Sequence, residues 1–165
     1  MMAKKYDDIR DYLAATRFEN LSGKGASEEE ICICEGQLSL HFPPSYRIFL
    51  SEFGWGYFGS MELVAGLGVD IPKEWDRGAN ILHVVNDERQ GPLRVPKEII
   101  PFCQNGAGDW YALDFTHRES DEVPVVFISH EESVRGEFSA SKCADSFADW
   151  VFARLAGSKL QINDP

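Results

Sequence analysis

The stretch Phe42-Pro43-Pro44-Ser45-Tyr46-Arg47-Ile48-Phe49-Leu50-Ser51-Glu52-Phe53-Gly54 reads as one helix with both ends marked. Pro44 suits the first helical position, where its missing N–H costs nothing. Tyr46, Phe49, Leu50 and Phe53 fall at i, i+3, i+4 and i+7 and so share a face. Gly54 is the residue type that closes a helix. Upstream, Ser27-Glu28-Glu29-Glu30 is a capping box: the Ser27 hydroxyl accepts from the backbone near Glu30, and Glu30 reaches back. Acids in that turn also suit the positive end of the helix dipole, so the Glu triplet needs no functional reading. Ile31, Cys34 and Leu38 then share a face. The spacing predicts helices over 28–38 and 44–53.

Outward from this pair, Tyr6, Ile9 and Leu13 predict a further helix over 4–17, followed by a loop from Asn20 to Ala26. Trp55-Gly56-Tyr57-Phe58-Gly59 and Met61 to Val64 predict a short, bent strand near a turn. Residues 66–80, with Pro72, Trp75 and Gly78, read as a surface loop. Ile81 to Gln90 reads as a short helix closed by Gly91; a strand is the alternative, because Leu82 to Val85 is short and rich in β-branched residues. The second half changes character. Ile99 to Cys103, Trp110 to Phe115 and Val123 to Ile128 are strand-like. The links Asn105-Gly106-Ala107-Gly108 and Arg118 to Glu122 are short, so these strands should be antiparallel neighbours. Arg135 to Ala140 adds an edge strand. A helix over 145–156 closes the chain, with Phe147, Trp150, Val151 and Leu155 inward. Helices first and strands later predict an α+β fold, helices packed on a mainly antiparallel sheet, in a single domain over 1–165.

With 44% hydrophobic and 26% charged residues in 165, the chain can fold without disulfide or metal. That composition excludes disordered, collagen-like and coiled-coil chains. No apolar run approaches the ~18 residues of a membrane span. Met1-Met2-Ala3-Lys4-Lys5 has no apolar stretch behind it, so the expectation is a cytoplasmic protein without a secretory signal. The net charge is −11, which disfavours nucleic acid as a partner. Residues 98–137 hold nine acids and two bases, −7 in one segment. Such a segment either keeps a protein soluble or attracts a basic partner. Cys32, Cys34, Cys103 and Cys143 lack zinc-site spacing and read as buried free thiols.

The sequence holds no strong catalytic constellation. Asp109 and Asp114 lie five apart on one expected strand, on opposite faces, unlike a paired acid and base. Both are expected to hold turns and strand ends. His41, His83, His117 and His130 form no metal-binding pair, although Asp114 and His117 could approach across a turn. Gly106-Ala107-Gly108 precedes a strand rather than the helix N-terminus that binds phosphate. Cys103 has no base beside it. No cofactor and no metal are expected. Trp75, between Glu74 and Asp76, is either an exposed interface anchor or a side chain folded back over the core.

The order of these pieces resembles the SUKH superfamily, which holds the Smi/Knr cell-wall regulators and bacterial immunity proteins. Ser27 to Ile31 with Glu35 and Leu38, then Pro43-Pro44, Tyr46, Phe49-Leu50 and Phe53-Gly54, resemble its N-terminal signature, with Phe42 where a Leu is usual. Ile99 to Phe102, Gly106, Gly108-Asp109, Tyr111, Leu113-Asp114 and Pro124-Val125 resemble the second signature, and Ser146-Phe147 with Trp150-Val151 its closing helix. The resemblance covers about 27–155 and implies the SUKH fold, with Pro43, Tyr46, Gly54, Gly108, Asp109 and Asp114 as structural motif positions.

For function, the resemblance implies a non-enzymatic immunity protein that binds and neutralises a cognate toxin. A regulatory or scaffolding module is the alternative, and an enzyme would need a pocket with convergent polar groups. Charge adds that the toxin should carry a basic surface, as a nuclease would. The side chains expected to meet it are Glu119, Asp121, Glu122, Glu131 and Glu132, with Trp75 as an apolar anchor.

Overall fold

A computed structural model describes residue 10, residues 23–58 and residues 62–162. The helix expected over 4–17 lies outside the described residues apart from Arg10, whose Nε stands 2.8 Å from Glu52 Oε1. The first helix described, α1 (Glu28–Leu38), starts at the capping box: Ser27 Oγ accepts from Glu30 N at 3.2 Å, and Glu30 Oε2 accepts from Ser27 N at 2.7 Å. Its last turn ends on Ser39 in the left-handed conformation, φ 56°. Helix α2 (Pro44–Glu52) has Pro at its first position and buries Tyr46, Phe49 and Leu50. Gly54 follows it at φ 76°, and its N–H donates to Phe49 O at 3.1 Å. Here two chain segments touch through bare backbone. Leu67 N donates to Gly54 O at 2.8 Å, and a Cβ on Gly66 would lie 1.7 Å from that same oxygen.

The sheet is an antiparallel meander of six strands in chain order: β1 (Gly56–Phe58), β2 (Glu62–Val64), β3 (Ile99–Gln104), β4 (Trp110–Asp114), β5 (Val125–Ile128) and β6 (Ala140–Ala144). The expected strand over 55–64 is thus a hairpin pair, Tyr57 opposite Leu63. Strand β4 pairs β5 with Trp110 opposite Ile128 and Leu113 opposite Val125, the antiparallel neighbours read from the short link. Strand β5 begins two residues later than expected; Pro124 precedes it, having no N–H to give a ladder, and accepts from Asp114 N through its carbonyl at 2.9 Å.

Three further segments differ from the sequence reading. Residues 66–80 are not a plain loop. Gly66 and Asn80 form a parallel bridge, with Gly66 N donating to Ala79 O and Ile81 N to Gly66 O, both at 2.8 Å. Between them lie a 3₁₀ turn (Lys73–Trp75) and helix α3 (Asp76–Ala79). The segment after β5 is helix α5 (His130–Arg135), capped by Ser129, so the edge strand starts at Ala140 rather than Arg135. Helix α4 (Ile81–Gln90) takes the helical alternative and buries Ile81, Val84 and Val85. Helix α6 (Phe147–Ile162) runs longer than the expected 145–156.

Strand alternation decides which helices cover which face. Tyr111 points toward α6, its ring 5.4 Å from Trp150. Phe102 joins that layer, 4.9 Å from Trp150 and 5.4 Å from Phe147. Helix α2 lies in the same layer, with Tyr46 5.1 Å and Phe49 5.6 Å from Phe147. Trp110 points the other way, into a cleft that Leu63 and Gly78 of α3 also line. The aromatic layer converges on Tyr46, which is fully buried and donates its hydroxyl to Ala65 O at 2.7 Å. Burial drives the Tyr46 pKa well above its ordinary value, so the hydroxyl stays a donor.

Tyr46→Phe keeps the ring and removes that donor, leaving Ala65 O unsatisfied in the core. Chemical denaturation should show a loss of roughly 1–3 kcal/mol. A loss under about 0.3 kcal/mol would mean that the bond does not hold α2 to the sheet.

Candidate functional site

The most concentrated charge in the interior sits where α1 meets α2. Seven-residue spacing places Glu28 and Glu35 on the α1 face that meets Arg47 of α2. Glu35 is only 4% exposed, and both its oxygens are occupied. Oε1 accepts from Arg47 Nε at 2.8 Å and Nη2 at 2.5 Å; Oε2 accepts from Phe42 N at 3.1 Å and lies 3.0 Å from His41 Nδ1. Arg47 Nη1 reaches Glu28, and this bond holds the exposed Glu28 carboxyl below its ordinary pKa. Burial works against the Arg47 charge, but its bonds to Glu35 and Glu28 outweigh that and raise its pKa. An open groove of about 440 Å³, with Cys32, Ser39, Leu40 and His41 along it, lies over the cluster. A carboxylate bound on both oxygens is a clamp between two helices. The sequence offered Glu35 only as a motif residue. Its seven-residue spacing from Glu28 was the available sign of a shared partner.

The expected site residues separate into those bound within the fold and those left outside. Asp109 Oδ2 accepts from Asn105 Nδ2 at 3.1 Å, and Oδ1 accepts from His130 N at 2.9 Å, so it joins the β3–β4 turn to α5. Gly108 beside it has φ 95°. Asp114 Oδ1 accepts from Thr116 N at 2.9 Å. Glu122, expected to face a partner, instead caps α2: Oε1 accepts from Ser45 N at 2.9 Å and Oε2 from Ser45 Oγ at 2.8 Å. Pro43 offers no side-chain cap, so the helix takes one from 77 residues away. Trp75 does not stand free in a charged loop. It is half-buried, edge-on to Trp55 at 6.0 Å and Tyr57 at 5.3 Å.

The remaining acids are exposed and fall into two groups. Glu119 and Asp121 sit on the β4–β5 turn. Glu131 and Glu132 sit on α5, beyond the other end of β5. The four residues of β5 put about 14 Å of strand between the two groups.

The thiols divide similarly. Cys34 and Cys103 are buried; burial pushes the Cys34 pKa up to about 12 and raises that of Cys103 as well. Cys32 and Cys143, expected to be buried, are exposed. On α1 a two-residue step turns Cys32 and Cys34 about 200° apart, which is why one faces water. Among the described residues, no three His, Cys, Asp or Glu converge as metal ligands, and no helix is long and apolar enough to cross a membrane.

The family model described as SMI1-KNR4 cell-wall, SUKH_6, matches residues 28–151. A crystal structure of a protein from Pseudomonas syringae pv. tomato shares the fold, with a TM-score of 0.55 at 17% identity over 81% of this chain and 84% of that chain. No curated protein matches the chain.

Two substitutions and one labelling experiment check these assignments. Glu122→Ala removes the cap of α2 and should cost about 0.5–2 kcal/mol in denaturant melts. Glu119→Ala, three residues away and exposed, should stay within about 0.5 kcal/mol of the parent. Equal effects would deny Glu122 its capping role. With a thiol-reactive disulfide reagent in native buffer, Cys32 and Cys143 should react, and Cys34 and Cys103 only on unfolding. Four thiols reacting at one rate would contradict the burial of that pair.

Proposed function

This chain belongs to the SUKH superfamily, and on that premise we propose that it is a non-enzymatic immunity protein that binds a bacterial toxin domain in the cytoplasm and blocks it. The observation that carries this reading is the family match over 28–151. The disposition of the acids supports it. Glu35, Asp109, Asp114 and Glu122, the carboxylates nearest to motif positions, are engaged in bonds that hold turns and helix ends. Glu119, Asp121, Glu131 and Glu132 face water and contribute to the chain's net charge of −11. A toxin that works on nucleic acid carries a basic surface for it. An acidic inhibitor approaches such a surface faster and with better orientation than a neutral one.

The words "cell-wall" in the family description favour a second reading, a regulatory or scaffolding module of the Smi/Knr type. It differs in requiring several partners and no toxin gene next to its own.

Coexpression with the product of the adjacent gene separates the two. Relief of growth arrest by stoichiometric binding is the expected result; a harmless neighbour that does not bind would favour the regulatory module. For the bound pair, association should slow as salt rises, because screening acts within about 8 Å at physiological ionic strength. Changing Glu119, Asp121, Glu131 and Glu132 together to Lys should lower the on-rate by about tenfold or more while leaving the melt of the free protein in place. A rate indifferent to both salt and reversal would remove charge as the guide to this interface.

A further inference from the structure

We infer that the outer edge of β6 is the strand on which the partner docks, by adding a basic, extended segment of its own to the sheet. The inference rests on the reading that this chain acts by binding a basic protein, and it locates that contact.

The meander leaves two edges. Strand β1 has three residues, whereas β6 has five, and all of Ala140 to Cys143 are exposed. A strand paired on one side only presents a row of backbone N–H and C=O groups on the other, a template for a further strand. The usual devices that blunt an edge are weak here. There is no proline in Ala140-Ser141-Lys142-Cys143-Ala144. The one lysine is drawn aside, its Nζ 2.6 Å from Asp145 Oδ1. The other four side chains are small, so an incoming backbone meets no bulk. A bulge opposite Val125 and Val126 twists the far end, but Ala140 to Lys142 stay in regular register with Ile128, Phe127 and Val126.

Charge then selects the occupant. Helix α5 is fastened to the start of β6: Ser133 Oγ accepts from Ser139 N at 3.2 Å, and Glu132 Oε2 accepts from Ser139 Oγ at 3.3 Å. This brings Glu131, Glu132 and Glu137, all exposed, to the Ala140 end, with Arg135 lying between them in the chain. Among them Val134 is 53% exposed, one of the few large apolar side chains facing water among the described residues. A segment with Lys or Arg at the Ala140 end and an apolar residue over Val134 satisfies these groups together. A second copy of this chain does not, since each brings a charge of −11 and the same acids to the seam.

The test uses the full chain, ¹⁵N-labelled, and two eight-residue peptides: one alternating Lys with Val, the other alternating Glu with Val. The Lys peptide at millimolar concentration should shift the amides of 140–144 and 131–137 saturably and slow exchange of the outward N–H groups of β6. The Glu peptide should bind at least tenfold more weakly. Neighbouring N–H groups in a strand point to opposite sides, so one of Ser141→Pro and Lys142→Pro removes an outward donor and the other a bond to β5. The variant that keeps its melting temperature should lose at least tenfold in affinity. Glu131→Lys with Glu137→Lys leaves the strand untouched and should lose a similar factor. Shifts that map elsewhere, no shifts, or equal binding of both peptides would overturn the inference. With a toxin domain in place of the peptide, protection away from 140–144 would remove this docking edge and leave the immunity role standing. Peptide binding at β6 with no toxin bound would do the reverse.

Discussion

One hydroxyl ties the helical layer to the sheet. Tyr46 donates to Ala65 O at 2.7 Å, while Ala65 N donates to Phe102 O of β3, also at 2.7 Å. A single residue just beyond β2 is therefore held by a helix through its carbonyl and by a strand through its N–H. Around it Phe42, Phe49, Phe102 and Phe147 pack against the Tyr46 ring within 4.9–6.2 Å. No water can replace the bond in that setting, so the position of α2 over the sheet is fixed by geometry rather than by area alone. The path of the chain after β2 depends on it too, because Gly66, the next residue, must then pass against Gly54.

The acidic residues serve two ends. Glu30 and Glu122 cap helices, Glu35 clamps two of them, and Asp109 joins a turn to α5. Each meets a backbone N–H group or a guanidinium. Among the acids left over, Glu119 and Asp121 stand on the β4–β5 turn and Glu131 and Glu132 on α5, where they shape the field that a partner meets. Part of the charge is thus neutralised locally, and these four exposed acids are divided between the two ends of β5.

Features with short-range causes were legible in the sequence. The ends of α1 and α2 follow from Ser27, Glu30, Pro44 and Gly54, whose chemistry acts within a turn. The β4–β5 pairing follows from a short link. What escaped depends on contacts far along the chain. Residues 66–80 read as a loop because the Gly66–Asn80 bridge has no local signature. Glu122 read as a surface acid because Ser45, its partner, is 77 residues away. Glu119 and Glu132 were grouped as partner-facing acids by sequence distance alone, although a strand expected between them already implied two opposite ends. Trp75 lacked any local sign of Trp55 and Tyr57, which flank it in space.

The meander also sets an order in which parts of the molecule can come together. Strands β3 to β6 join through short links or one small helix, so each hairpin closes a small loop at low entropic cost. The hairpin of β1 and β2 reaches β3 only across residues 65–98, a much wider loop that carries α3 and α4. The C-terminal strands can thus assemble from local contacts, whereas joining the N-terminal hairpin and α2 to them requires that wider closure. On a ribosome this order is inconvenient, since the half made first is the half that waits: α1, α2 and their apolar faces emerge before the sheet that covers them exists.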